Sequence, residues 1–97
     1  MAKFVYIYKG GRRPETEEEG KKVMEAWTSW LGAMGDHVID RGAPFGESTG
    51  VNGGSTSGLG GYSVVTAGNL AEAAEHAKDC PIFASGGSVE VYATLDM

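Results

Sequence analysis

Apolar residues in the first segment, Lys3-Phe-Val-Tyr-Ile-Tyr8, occupy both sides of an extended chain: Phe4, Tyr6 and Tyr8 share one face, Val5 and Ile7 the other. Aromatic and β-branched residues running up to Gly10-Gly11 predict a strand. A strand apolar on both faces belongs in the middle of a sheet that is covered twice. The period then changes. Val23, Trp27, Trp30, Leu31 and Met34 recur at helical spacing, Thr16 and Glu19 form an S/T-x-x-E capping box, and Gly35 supplies a stop, so a helix starts near Glu17 and ends at Gly35. His37-Val-Ile-Asp40 reads as a short second strand, broken by Arg41-Gly-Ala-Pro-Phe-Gly46. From Gly42 to Gly61 the chain is crowded with Gly, Ser, Thr and Asn, which predicts a long loop or loose hairpin. Tyr62-Ser-Val-Val-Thr-Ala67 is the third strand. Asn69 and Glu72 open a second helix with the stripe Leu70, Ala73, Ala74 and Ala77, ended by Pro81, and Ser88-Val-Glu-Val-Tyr-Ala93 is the fourth strand.

The order β-α-β-β-α-β, with both helices expected on one face, predicts an α+β fold: a four-stranded antiparallel sheet in a ferredoxin-like arrangement. With 97 residues and no linker-like segment, residues 1–97 read as one domain. Two helices cover only one face of the sheet, so the other face, with Val5 and Ile7 or their neighbours on it, predicts a homodimer.

Composition narrows the partners. The formal net charge is -5, and the densest basic spots, Arg12-Arg13 and Lys21-Lys22, are interleaved with Glu15, Glu17, Glu18 and Glu19, so nucleic acid is not an expected partner. No apolar run approaches a bilayer span and Met1-Ala2-Lys3-Phe4 opens straight into a strand, which leads to the expectation of a soluble, cytoplasmic protein with no membrane partner. Cys80 is the single cysteine, which excludes an intrachain disulfide and suits a reducing compartment. It reads as a buried structural thiol in preference to a nucleophile.

In their order and spacing, Lys3-Phe-Val-Tyr-Ile-Tyr8, Trp27-x-x-Trp30, Asp40-Arg-Gly-Ala-Pro-Phe45, Gly61-Tyr-Ser-Val-Val65, Leu70-Ala-Glu-Ala-Ala74, Cys80-Pro81 and Gly86-Gly-Ser-Val-Glu-Val-Tyr92 make the chain resemble the YCII-related, or DGPF-domain, proteins. The resemblance covers nearly the whole chain. It implies a dimeric α/β barrel, in which two ferredoxin-like sheets face each other across a cleft. Members of the wider group are small enzymes or ligand binders, and one branch resembles a dehydrochlorinase of aromatic degradation. Another branch uses a buried His-Asp pair with its histidine on the first helix; here that stretch reads Glu25-Ala-Trp27, so the pair is not carried over. Gly42-Ala-Pro-Phe45 stands where the Asp-Gly-Pro-Phe tetrad would be.

Three acid-base candidates follow. Asp40 begins the turn at the expected mouth of the cleft. His37 lies near Asp36 and Asp40, a neighbourhood that suits a general base and equally an exposed turn. Glu90, polar between Val89 and Val91, faces either the enclosed interior, with Tyr92 and with its pKa raised, or the rim, paired with a surface Lys or Arg. The expected cleft lining is Tyr6, Trp27, Pro44, Phe45, Tyr62 and Tyr92, with the Gly42–Gly61 loop as a lid. Glu72, His76 and Asp79 have spacing that can bind a metal but read as a solvated helix face, and no metal or other cofactor is expected. The glycines contain no phosphate-binding motif. The function expected is small-molecule binding by a homodimer, the alternative being a cofactor-free lyase, isomerase or oxygenase with Asp40 or Glu90 as acid or base.

Overall fold

The first helix begins where Thr16 turns the chain: its hydroxyl accepts the Glu19 amide at 3.1 Å, while the Glu19 carboxylate accepts the Glu15 amide at 3.0 Å. The second repeats the device, with Asn69 accepting from the Glu72 amide at 2.8 Å and Glu72 from the Gly68 amide at 3.0 Å. In the computed structural model, which describes residues 2–54, 56 and 58–95, the elements are β1 (Ala2–Lys9), α1 (Glu17–Met34), a 3-10 turn (Gly35–His37), β2 (Val38–Pro44), β3 (Leu59–Ala67), α2 (Leu70–Ala77), a second 3-10 turn (Pro81–Ser85) and β4 (Ser88–Ala93). The strands form one antiparallel sheet in the order β2-β3-β1-β4. This α+β architecture, with two helices and four antiparallel strands, is compatible with a ferredoxin-like fold.

The helices lie on the face of β1 that carries Phe4, Tyr6 and Tyr8, all buried, and the core continues through Trp30, Met34, Val65, Ala67, Ala73 and Ala77. Tyrosine is the residue that settles this choice of face. The Tyr6 hydroxyl donates to the Ala73 carbonyl at 2.6 Å, and the Tyr8 hydroxyl donates to Ser63 Oγ at 2.8 Å. Both hydroxyls therefore find acceptors inside the core. Ser63 passes the chain on to the Arg41 carbonyl at 2.7 Å. Trp30 stacks on Tyr6 with ring centres 6.0 Å apart and donates its indole N–H to the His76 carbonyl at 3.2 Å, tying α1 to α2.

Two boundaries depart from the sequence reading. The second strand does not stop at Asp40; it runs on to Pro44, with irregularities in its pairing on either side of Asp40. Gly42 adopts a left-handed φ of 75° there, its amide donating to Asp40 Oδ1 at 2.8 Å. A bulge thus lets β2 continue past residues that would otherwise end a strand. His37 lies in the 3-10 turn before β2 and not on the strand. The third strand likewise begins earlier, at Leu59, so the connecting loop is shorter than the glycine-rich stretch. Of that loop, Ser55 and Ser57 lie outside the described residues. In α2 the buried stripe is Ala73 and Ala77 alone; Leu70 and Ala74 are exposed because the helix seats on the sheet through its smallest side chains.

Burial pushes the Tyr6 hydroxyl pKa up from 10.0 to about 12, with Cys80 nearby adding to the rise. It pushes Tyr8 further in the same direction, against the opposing effect of its hydrogen bond with Ser63. The buried Cys80 thiol moves from 9.0 to about 11 for the same reason, its hydrogen bond with the Ile82 backbone pulling the other way. These groups are neutral in the folded protein and ionise at lower pH when the chain unfolds. Their stabilisation is full below pH 9 and is lost as pH rises towards 12. Denaturant unfolding is expected to give a constant free energy from neutral pH to about pH 9 and a falling one above it, with the fall less steep in Tyr6→Phe. A stability that stays flat to about pH 12, or a slope that Tyr6→Phe leaves unchanged, contradicts this.

Candidate functional site

The face of the sheet away from the helices is uncovered. Its side chains stand in rows fixed by strand register: Glu90, Ile7, Tyr62 and Ala43 in one, Tyr92, Val5, Val64 and Asp40 in the next. Val5, Ile7, Tyr62 and Val64 occupy the middle of the two central strands, Lys3, Lys9 and Thr66 lie towards the strand ends, and Glu90, Tyr92, Ala43 and Asp40 lie on the edges. At one edge Glu90 accepts a 2.8 Å hydrogen bond from Lys9 through Oε2 and a short one from the Tyr92 hydroxyl through Oε1. At the other, the Tyr62 hydroxyl reaches Asp40 Oδ2 at 3.4 Å. Tyr62 also stacks on Phe45, ring centres 5.9 Å apart and planes 19° from parallel.

The two carboxylates sit on opposite edge strands. Three strand spacings separate β2 from β4, about 14 Å. They do not converge within one chain. Glu90 departs from the interior reading in one further respect: the hydrogen bonds from Lys9 and then Tyr92 hold its pKa below the ordinary carboxylate value, not above it. Lys9 and Tyr92 are correspondingly raised, each chiefly through its hydrogen bond with Glu90. Glu90 is therefore a paired, half-exposed carboxylate and a poor proton donor near neutrality. Lys9 was absent from the sequence candidates. Its signal lies in the alternation, since Lys9 shares the face of Val5 and Ile7 and its strand pairs directly with that of Glu90.

Tyr6 does not line the open face. It is fully buried on the helix side, held by its bond to Ala73. His37 does not meet Asp40 either: its ring faces His76 of α2, centres 5.3 Å apart, and its carbonyl accepts from Thr66 at 3.4 Å. His76 Nε2 stands 3.6 Å from Glu72 Oε1. Among the described residues, no group of three His, Cys, Asp or Glu side chains is placed to hold a metal ion, and no helix is long and apolar enough to cross a membrane.

The remaining lining candidates gather elsewhere. Trp27, Pro44 and Phe45 border a groove of about 950 Å³ at the end of the sheet where β1 leaves and β3 enters, together with Gly10–Pro14 and Gly58–Gly60. Trp27 has two sides to its role. It packs edge-on against Tyr8, ring centres 4.8 Å apart, yet it is only partly buried and lines this groove. Asp40 lies outside the groove lining, so the bulge and the groove are neighbouring features joined by the Phe45–Tyr62 stack.

Comparisons with protein-family models, with curated proteins and with solved structures find no match to this chain.

Proposed function

We propose that the protein is a small-molecule-binding homodimer whose protomers pair through the open faces of their sheets, enclosing a cleft. The observation that carries the reading is the distribution of side chains on that face: Ile7, Val5 and Val64 at its centre, hydrogen-bonded polar pairs at both edges. This is the layout of an interface with an apolar core and a polar rim. A slab only 19 Å thick, with helices on one side, leaves a face of the sheet that a second copy would cover. The resemblance to YCII-related proteins agrees with such a pairing. A catalytic reading with Asp40 and Glu90 as acid and base receives less support, since the two stand on opposite edges and Glu90 is held ionised by Lys9.

Sedimentation equilibrium tests the pairing. A dimer is expected at micromolar concentration, and Ile7→Glu, which puts a charge at the centre of the face without touching the helix side, is expected to give a folded monomer. A monomeric wild-type protein, or an Ile7→Glu dimer of undiminished affinity, contradicts the proposal.

A further inference from the structure

We infer that the groove at the end of the sheet is a binding site for a flat organic anion, with Arg12 and Arg13 holding an oxyanion and Trp27 and Phe45 flanking an aromatic or otherwise unsaturated body. The site lies within a single protomer and stands whether or not the sheets pair. Its volume of about 950 Å³ suits a small organic molecule.

Charge is the first argument. In a chain of net charge -5, carboxylates are plentiful, yet none of the three arginines, Arg12, Arg13 and Arg41, forms an ion pair among the described residues. Lys9 and Lys78 do pair, with Glu90 and Glu75. Arg12 and Arg13 both line the groove, and only Glu47 among its lining residues bears a negative charge. Two guanidinium groups against one carboxylate leave a local positive excess on an acidic protein. A guanidinium offers parallel N–H donors that match carboxylate or phosphate oxygens two at a time.

The second argument is that the backbone beneath these arginines is held. The Arg12 amide donates to the Ser85 carbonyl at 2.9 Å. Gly11 lies against the second 3-10 turn, where a Cβ would sit in ordinary contact, 3.4 Å, with the Ile82 side chain, and it takes a φ of 88°. The arginines are thus carried on a fixed strap between β1 and α1. Aromatic surface is the third argument: Phe45 is 45% exposed although it is stacked on Tyr62, and Trp27 presents to the same groove the surface it does not bury against Tyr8. Exposed aromatic rings beside unpaired guanidinium groups fit a ligand with a flat body and an anionic end.

Naphthoate, naphthyl phosphate and the uncharged naphthamide serve as probes, titrated calorimetrically and mapped by amide and indole chemical shifts. One or both anions are expected to bind at least about tenfold more tightly than the amide, and Arg12→Gln/Arg13→Gln to abolish that preference. The tighter anion identifies the oxyanion. Shifts are expected at Gly10, Gly11 and the Trp27 indole. Both arginines are exposed, so the double variant keeps the core intact, and the single variants provide the same comparison if it does not fold. Equal affinity for the amide, no effect of either arginine, shifts confined to the Val5–Ile7 face, or no binding by any probe overturns the inference. Sedimentation of the same samples separates the two proposals, because anion binding by a monomer leaves the groove standing and removes only the pairing.

Discussion

Replacing Gly42 by alanine is expected to cost about 4 kcal/mol or more, placing it among the rare, severe single substitutions. A Cβ at this position would lie 1.6 Å from the Tyr62 carbonyl oxygen and 2.6 Å from its carbon, both backbone atoms of the adjacent strand. No rotamer relieves that collision, so β2 and β3 must separate. The left-handed φ of 75° adds its own strain, and the loss would spread through the bulge to the Asp40–Gly42 and Ser63–Arg41 hydrogen bonds. Gly53 is the control: its φ of 80° is similar, but a Cβ there meets nothing within 4 Å, so Gly53→Ala is expected to cost only about 1–2 kcal/mol. A domain of this size has roughly 5–15 kcal/mol to lose. Denaturant unfolding of Gly42→Ala within about 1 kcal/mol of wild type contradicts the bulge as described.

Trp30→Ala is expected to destabilise by about 3–5 kcal/mol, the range for removing a large aromatic side chain from a core. Trp30 is 7% exposed, stacks on Tyr6, and caps the His76 carbonyl with its indole N–H, so its loss opens a cavity and removes the tie between the helices. Trp27→Ala is expected to cost less, about 1–2 kcal/mol, because only part of that ring is buried. Thermal or denaturant unfolding of the two variants side by side checks the ranking. Equal losses at both positions contradict it, and make Trp27 a core residue without a surface to offer the groove.

Local signals were the legible part of this fold. Thr16 with Glu19 and Asn69 with Glu72 mark the helix starts, because a cap needs only residues three apart in sequence. What escaped depends on residues far apart. The two faces of β1 are both apolar, and only the partners of the Tyr6 and Tyr8 hydroxyls, 67 and 55 residues away, decide which face meets the helices. Placing Tyr6 in a cleft failed for that reason. The continuation of β2 through Gly42 and Pro44 escaped because those residues usually end a strand, and the Ser63 hydroxyl that anchors the bulge at Arg41 lies 22 positions on. Of the two readings open for Glu90, an interior carboxylate with a raised pKa or a rim carboxylate paired with a surface Lys or Arg, the choice turned on Lys9, 81 residues earlier, which pairs with it. Glu90 and Tyr92 were placed on the face opposite Val89 and Val91, and there alternation along one short strand was sufficient.

The pairing of open sheet faces is tested most directly by isotope-filtered NOE spectroscopy on a mixture of labelled and unlabelled protein. Contacts between protomers are expected at the methyl groups of Val5, Ile7 and Val64 and at the rings of Tyr62 and Tyr92, all on the uncovered face. The absence of any intermolecular contact, or contacts confined to exposed apolar residues such as Met24, Leu70 and Phe83, which lie off the sheet, would contradict it.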